Sequence, residues 1–289
     1  MKISTKLFLF SCILTCALSI SSLQASQTAT QSAVRQVKEK WMQWAEDLVM
    51  AERLKLEEQH NITIGSYCRY SSSEINAWID TGIEKLLAEN QPFNLESQDK
   101  KTLEVIANRI FKNLVVVVDD NRHSSDNCAL AITHHNKTNT SYLFTNVSLY
   151  AQRPDLFKEI LLHEQCHVEC KDVLQRLRYK RLGEDNLIRS STNSISSDEA
   201  AEIMDRQIIP LVLAQEKRAD VRMIIASPNR GEHFATFIES VTSSSESHLE
   251  LGERIQFFKQ IKAKLDEAEQ KDLLASAARS YLGSLFGGC

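Results

Sequence analysis

The sequence predicts an α+β fold that is mostly helical, with a small antiparallel sheet beside one central helix. Three observations carry this expectation. Glycine and proline are sparse, at 8 and 4 in 289 residues, so few positions interrupt helices. Apolar residues recur at 3–4 spacing along most of the chain. One stretch breaks that period: the run Leu114-Val115-Val116-Val117-Val118, followed by two short apolar segments around a polar turn, reads as strands. At 43% hydrophobic and 25% charged, the chain can bury a core of ordinary size. A net charge of −4 argues against a nucleic-acid partner.

Residues 1–25 read as a secretory signal. Lys2 and Lys6 supply its basic end, Leu7–Ile20 its apolar stretch, and Leu23-Gln24-Ala25 a cleavage site before Ser26. An uncleaved N-terminal anchor is the alternative. No later apolar run reaches about 18 residues, so no integral membrane span is expected after cleavage. The expected product is exported, periplasmic or secreted. Residues 26–289 would form a single domain, with 26–70 as an N-terminal helical extension. Cleavage leaves Cys68, Cys128, Cys166, Cys170 and Cys289, an odd number that leaves one thiol free or intermolecularly bonded. Cys68–Cys128 is the preferred pair. Cys166 and Cys170 are i, i+4 on one helix, where Cβ atoms stand about 5–6 Å apart. A disulfide wants about 3.8 Å, which disfavours a bridge between them.

Taken in order, Val34, Val37, Trp41, Trp44 and Leu48 mark an amphipathic helix to about Gln59. Ser71-Ser72-Ser73-Glu74 caps a second, with Ile75, Trp78, Ile79, Ile83, Leu86 and Leu87 inward. Leu103, Ile106, Ala107, Ile110 and Phe111 mark a third. Strands follow at 114–118, 129–133 and 141–144, the last two joined by the exposed turn His134-His135-Asn136-Lys137. Pro154 suits the first turn of a long helix running to about Arg178 and ended by Gly183. Residues 184–196 read as a polar surface loop or lid. Ser196-x-x-Glu199 is a capping box for the next helix, which Pro210 breaks or kinks. Helix then resumes to Ala226, before Ser227-Pro228. Phe234, Phe237, Ile238 and Val241 pack a further helix, a serine-rich loop covers 243–247, and residues 265–289 close the chain as helix and tail.

The long helix from Pro154 carries the chemistry, as His163-Glu164-Gln165-Cys166-His167. Imidazoles at i and i+4 lie one above the other and can share one metal ion, with Glu164 placed as general base. Glu216-Lys217-Arg218-Ala219-Asp220 supplies a carboxylate ligand, Glu216, and one turn on a carboxylate, Asp220, to accept the second ring N–H of His163. Cys170 competes with Glu216 for third ligand, lying about 20° from His163 on the helical wheel at 100° per residue. It stands about 10.5 Å along the axis from His163, so a straight helix hardly brings all three to one ion. Glu216 arrives from another helix without that restriction.

H-E-x-x-H followed by E-x-x-A-D resembles the gluzincin metallopeptidases of the HtpX and CAAX prenyl endopeptidase family. The resemblance covers residues 70–265 and is specific at three motifs. The third is Ser247-His248, with Arg254-Ile255 after it, where Leu249 replaces the family's proline. It implies a zincin-like metallopeptidase fold and one Zn²⁺ per chain on His163, His167 and Glu216. A protein or peptide substrate would lie along a hairpin strand, and Asn127 stands where relatives open that segment with asparagine. His248 and Arg254 become candidates for facing the developing oxyanion or orienting the ligand carboxylates. Cys166 stands where relatives carry glycine or alanine. Unlike the membrane-embedded relatives, this chain looks like a soluble, exported branch. The expected activity is therefore zinc-dependent endopeptidase cleavage of exported or envelope proteins. The alternative is a non-catalytic helical binding or chaperone-like protein with a structural or latent zinc site.

Overall fold

Short polar side chains decide where the first helices begin. The computed structural model describes residues 32–62, 71–90, 96–111, 114–120, 130–190, 195–240 and 251–286. Helix α1 spans Ala33–Gln59, α2 Ser72–Asn90 and α3 Gln98–Ile110. Ser71 opens α2 with a reciprocal cap: its Oγ accepts the Glu74 N–H at 3.2 Å, and Glu74 Oε2 accepts the Ser71 N–H at 2.8 Å. Ser97 Oγ accepts the Lys100 N–H at 3.1 Å and caps α3. Ile75 and Ile83 of α2 are buried as expected. Trp78 is not: it is exposed, and the Arg181 guanidinium lies 5.3 Å over its ring.

The strands are β1 (Leu114–Asp119), β2 (Leu130–His135) and β3 (Thr140–Thr145). Their order is β1-β3-β2, so β3 is central. β2 and β3 pair antiparallel, with Thr133 opposite Tyr142, whereas β1 and β3 pair parallel, with Val116 opposite Tyr142. The sheet is therefore mixed, which corrects the antiparallel expectation. The reason is topological. β2 reverses direction but does not pair with β1; β3 reverses again and inserts between them, parallel to β1. The unbroken valine run fits a strand buried on both faces, and Val115, Val117 and Val118 are all buried. His134 and His135 belong to β2 rather than to the turn.

Asn146 caps the short helix α4 (Val147–Ala151), its Oδ1 accepting the Leu149 N–H at 2.9 Å. Helix α5 (Pro154–Cys170) has Pro in its first turn and is buried around much of its circumference, from Leu156, Phe157 and Leu161 to His163 and His167. It ends earlier than expected. Lys171 adopts φ 56°, ψ 41°, the left-handed conformation, and a separate helix α6 runs Asp172–Ser190. Two further expectations fall with that break. The segment to Ser190 is helix rather than loop, and Gly183 lies inside α6, where an added Cβ would meet the Met204 sulfur at 2.3 Å. Close approach, not helix termination, is what this glycine permits.

Helices α7 (Ser197–Gln207) and α8 (Ile209–Ala226) follow, with the Ser196 cap and the Pro210 break both where the sequence puts them. Helix α9 spans Glu232–Ser240, and α10 spans Leu251–Phe286, starting well before residue 265. The described residues fall into two compact units. Trp41–Lys262 make the larger, with Val49, Leu56, Tyr179, Leu182 and Leu211 packing α1, α6 and α8 together. In the smaller, Asp272 accepts the Ala33 N–H at 2.7 Å and the Val34 N–H at 3.2 Å, capping α1. No helix among the described residues is long and apolar enough to cross a membrane.

The left-handed residue is directly testable. A side chain at φ > 0 costs about 1–2 kcal/mol, which glycine escapes. Lys171→Gly should therefore hold or raise the unfolding midpoint, and Lys171→Val should lower stability by about 1–2 kcal/mol. Thermal unfolding of the pair checks this; the reverse order would rule out the turn.

Candidate metal centre

Helix periodicity brings the first two donors together. His163 and His167 stand one turn apart on α5, with Nε2 atoms 3.1 Å from each other. α8 packs across α5 and delivers the third: Glu216 Oε2 lies 3.1 Å from His163 Nε2, and its Oε1 lies 3.3 Å from His167 Nε2. His163 and Glu216 are buried, and His167 nearly so. Among the described residues, this is the one group of three or more such side chains that could hold a metal ion.

The outer partners decide what this cluster wants. His163 Nδ1 lies 2.9 Å from Asp220 Oδ1, and His167 Nδ1 lies 2.8 Å from Asp172 Oδ2. Carboxylates beside both Nδ1 atoms favour a proton there, so the neutral rings would turn Nε2 lone pairs toward an ion. Two imidazole nitrogens and a carboxylate oxygen, about 3 Å apart, need protons or a metal ion among them. A tetrahedral ion with about 2.1 Å bonds separates its ligands by about 3.4 Å, close to the observed spacings. Two imidazoles and one carboxylate, each histidine braced by an aspartate, fit zinc.

Charge shifts express the same demand. Burial disfavours a charged His163, yet Asp220 and Glu216 outweigh it and raise its pKa. His167 is likewise pushed up against burial by Asp172 and Glu216, to about 10. Burial opposes ionisation of Glu216, but both histidines hold it well below the usual carboxylate range. Asp220 is lowered despite complete burial, chiefly by Arg254. Glu164 moves the other way, because desolvation raises its carboxyl. It is only half-buried and makes no hydrogen bond among the described residues.

Arginines anchor both braces. Arg254, in the first turn of α10, grips Asp220 with two bonds, Nε to Oδ2 at 2.9 Å and Nη2 to Oδ1 at 2.7 Å. Arg254 thus binds the carboxylate that stands beside His163. Arg218 of α8 donates to Asp172 Oδ1 and reaches Glu46 of α1 at 2.9 Å. Arg176 of α6 lies 3.4 Å from Glu216 Oε1. Phe234 covers this side: its ring stands 5.7 Å from that of His163, with the Arg254 guanidinium 5.0 Å over it. Glu159 positions it, Oε2 accepting the Phe234 N–H in the first turn of α9 at 2.8 Å.

The chain matches no family model, no curated protein and no solved structure. The centre therefore stands on its own geometry.

Of the residues picked from sequence, His163, Glu164, His167, Glu216, Asp220 and Arg254 gather here. His248 lies outside the described residues, as do residues 1–25, Asn127, Cys68, Cys128 and Cys289. Cys170 is not in the cluster; it is half-buried and free, as is the buried Cys166. Asp172, Arg218 and Arg176 escaped sequence reasoning. The signal available was weak: an acidic residue five positions beyond His167, in what read as unbroken helix.

If Asp172 braces His167 as Asp220 braces His163, Asp172→Asn and Asp220→Asn should each weaken metal binding about 10- to 100-fold. Competition against a chromophoric chelator measures this. Wild-type affinity in Asp172→Asn would remove the brace from the centre.

Proposed function

We propose that the chain is a zinc-dependent metallopeptidase of the gluzincin type, with His163, His167 and Glu216 as ligands and Glu164 as general base. One observation carries the reading: three converging donors stand beside a carboxyl, Glu164, that no described side chain hydrogen-bonds. A structural zinc site is closed by a fourth protein ligand, whereas a catalytic one keeps a position for water. Zinc bound there would acidify water and polarise a carbonyl. Glu164 takes the proton from the attacking water at its carboxylate and returns it to the leaving nitrogen. Its raised pKa suits both halves of that task.

The arginines divide the remaining work. Arg254 is buried and committed to Asp220, so it positions a ligand rather than meeting substrate. The partly exposed Arg176 guanidinium, beside Glu216, is the cation that can face charge developing on the carbonyl oxygen. A peptide substrate is supported by β2, an edge strand able to pair with an extended chain. A groove of about 690 Å³ follows it, lined by Ile132, Thr133 and His134 and reaching His167 and Lys171. Glu164 is not among its lining residues, so the groove meets the centre from the His167 side. Exported or envelope proteins as substrates rest on the signal-like residues 1–25.

Casein cleavage by zinc-loaded protein, with and without chelator, tests the activity. Glu164→Gln should keep its zinc and lose at least about 10²-fold in turnover, the usual contribution of a general base. Glu216→Ala should lose most of the zinc and all activity. Near-normal turnover by zinc-loaded Glu164→Gln would sink the assignment, and stoichiometric zinc without cleavage of any substrate would favour a structural or latent site.

A further inference from the structure

Cys166 and Cys170 have no part in the chemistry above, yet they sit at its most sensitive point. Their Sγ atoms are 4.0 Å apart. Cys166 is 2% exposed and precedes the ligand His167; Cys170 is half-buried and is the last residue of α5. Within a helix, thiols at i and i+4 are held too far apart to bond. Cys170 is at the end of one. The following residue, Lys171, is already left-handed, and its N–H bonds to the His167 and Val168 carbonyls are what hold the last turn. Unwinding that turn lets the sulfurs close to about 2.05 Å. It also moves Asp172, two residues beyond Cys170, whose carboxylate holds His167.

We propose that Cys170 and Cys166 form a peroxide-sensitive thiol pair, and that their oxidation to a disulfide unwinds the end of α5 and withdraws Asp172 from His167. The less buried sulfur, that of Cys170, reacts first. The Cys170 thiolate attacks a peroxide oxygen; an S–O bond forms, the O–O bond breaks, and hydroxide leaves to become water. Cys166 then attacks the sulfenic acid: the S–S bond forms, the S–O bond breaks, and a second water departs with the Cys166 proton. Peroxide is reduced and both thiols are oxidised. The surroundings favour this order, since the Cys166 S–H and the charges of Arg218 and Arg222 hold the Cys170 thiol at about 7, while Cys166 is buried. The thiol chemistry is independent of any peptidase activity; its effect on an ion rests on the metal centre.

The test treats the full chain, zinc-loaded and zinc-free, with hydrogen peroxide. Both cysteines lie in one tryptic peptide, 159–171, which should become lighter by two hydrogens and recover with dithiothreitol. Amide exchange over residues 171–176 should then rise in both forms, and zinc affinity should fall about 10- to 100-fold, as for loss of an outer carboxylate. Cys170→Ser should show none of these changes, and Cys166→Ala should stop at a sulfenic acid that dimedone traps. Thiols that stay reduced, Cys170 oxidised past sulfenic acid with Cys166 free, or a disulfide that leaves exchange unchanged would each overturn the proposal. A chain that binds no zinc would remove the metal centre, and exchange in the zinc-free form would still decide the thiol pair.

Discussion

Two imidazole nitrogens that face each other at 3.1 Å inside a protein need a proton or a metal ion between them. Everything around α5 answers that constraint. Glu216 brings negative charge to the same point, and Asp172 and Asp220 stand beside the two Nδ1 atoms on the far side. Neither aspartate has solvent exposure, so each would be costly if left to a single neutral partner. Arg218 and Arg254 supply the opposite charge. The pattern alternates outward from the point the three donors share: imidazole, carboxylate, guanidinium. Removing one member leaves its neighbour buried and uncompensated, a larger loss than the bond itself.

The backbone is arranged to make the two arms alike although they come from different places. For His163, the arm is helical: Asp220 lies one turn beyond Glu216 on α8, so both face α5 together. For His167, the arm is made by a turn. An uninterrupted helix would carry residue 172 on along its axis, away from the His167 ring. The left-handed Lys171 turns the chain, and α6 starts with Asp172 beneath that ring. α10 contributes Arg254 and, packed beside it, Phe258. Glu159, on α5 itself, holds the first turn of α9 so that Phe234 closes over His163. Shielding by that ring keeps the effective dielectric low, which strengthens each paired charge it covers.

What could be read from the sequence follows the same division. His163, His167, Glu216 and Asp220 were legible because helical periodicity alone puts each pair on one face. The caps at Ser71 and Ser196 and the break at Pro210 were legible because their causes are local. Lys171 gave no such signal: the position carries neither glycine nor asparagine, and the hydrophobic pattern runs on through it. Asp172 and Arg218 were hidden with it, since their roles exist only once the chain turns. The sheet escaped for another reason. Strand sequences set which faces are buried, but not that β3 inserts between β1 and β2.

The unequal treatment of the carboxylates around the centre bears on what it is for. Asp172, Asp220 and Glu216 are each held by partners and buried, and Glu216 and Asp220 are depressed in pKa. Glu164 lies next to His163 in the same helix and is half-buried, unbonded among the described residues, and raised. A centre built for stability alone gains from engaging that carboxyl or from adding a thiolate, and Cys166 lies two residues beyond Glu164. Instead, the Cys166 sulfur is directed to Cys170. For the proposed function, a carboxyl left out of its site's own hydrogen bonds suits proton transfer, because a proton can be taken up and released there without breaking the frame around His163, His167 and Glu216.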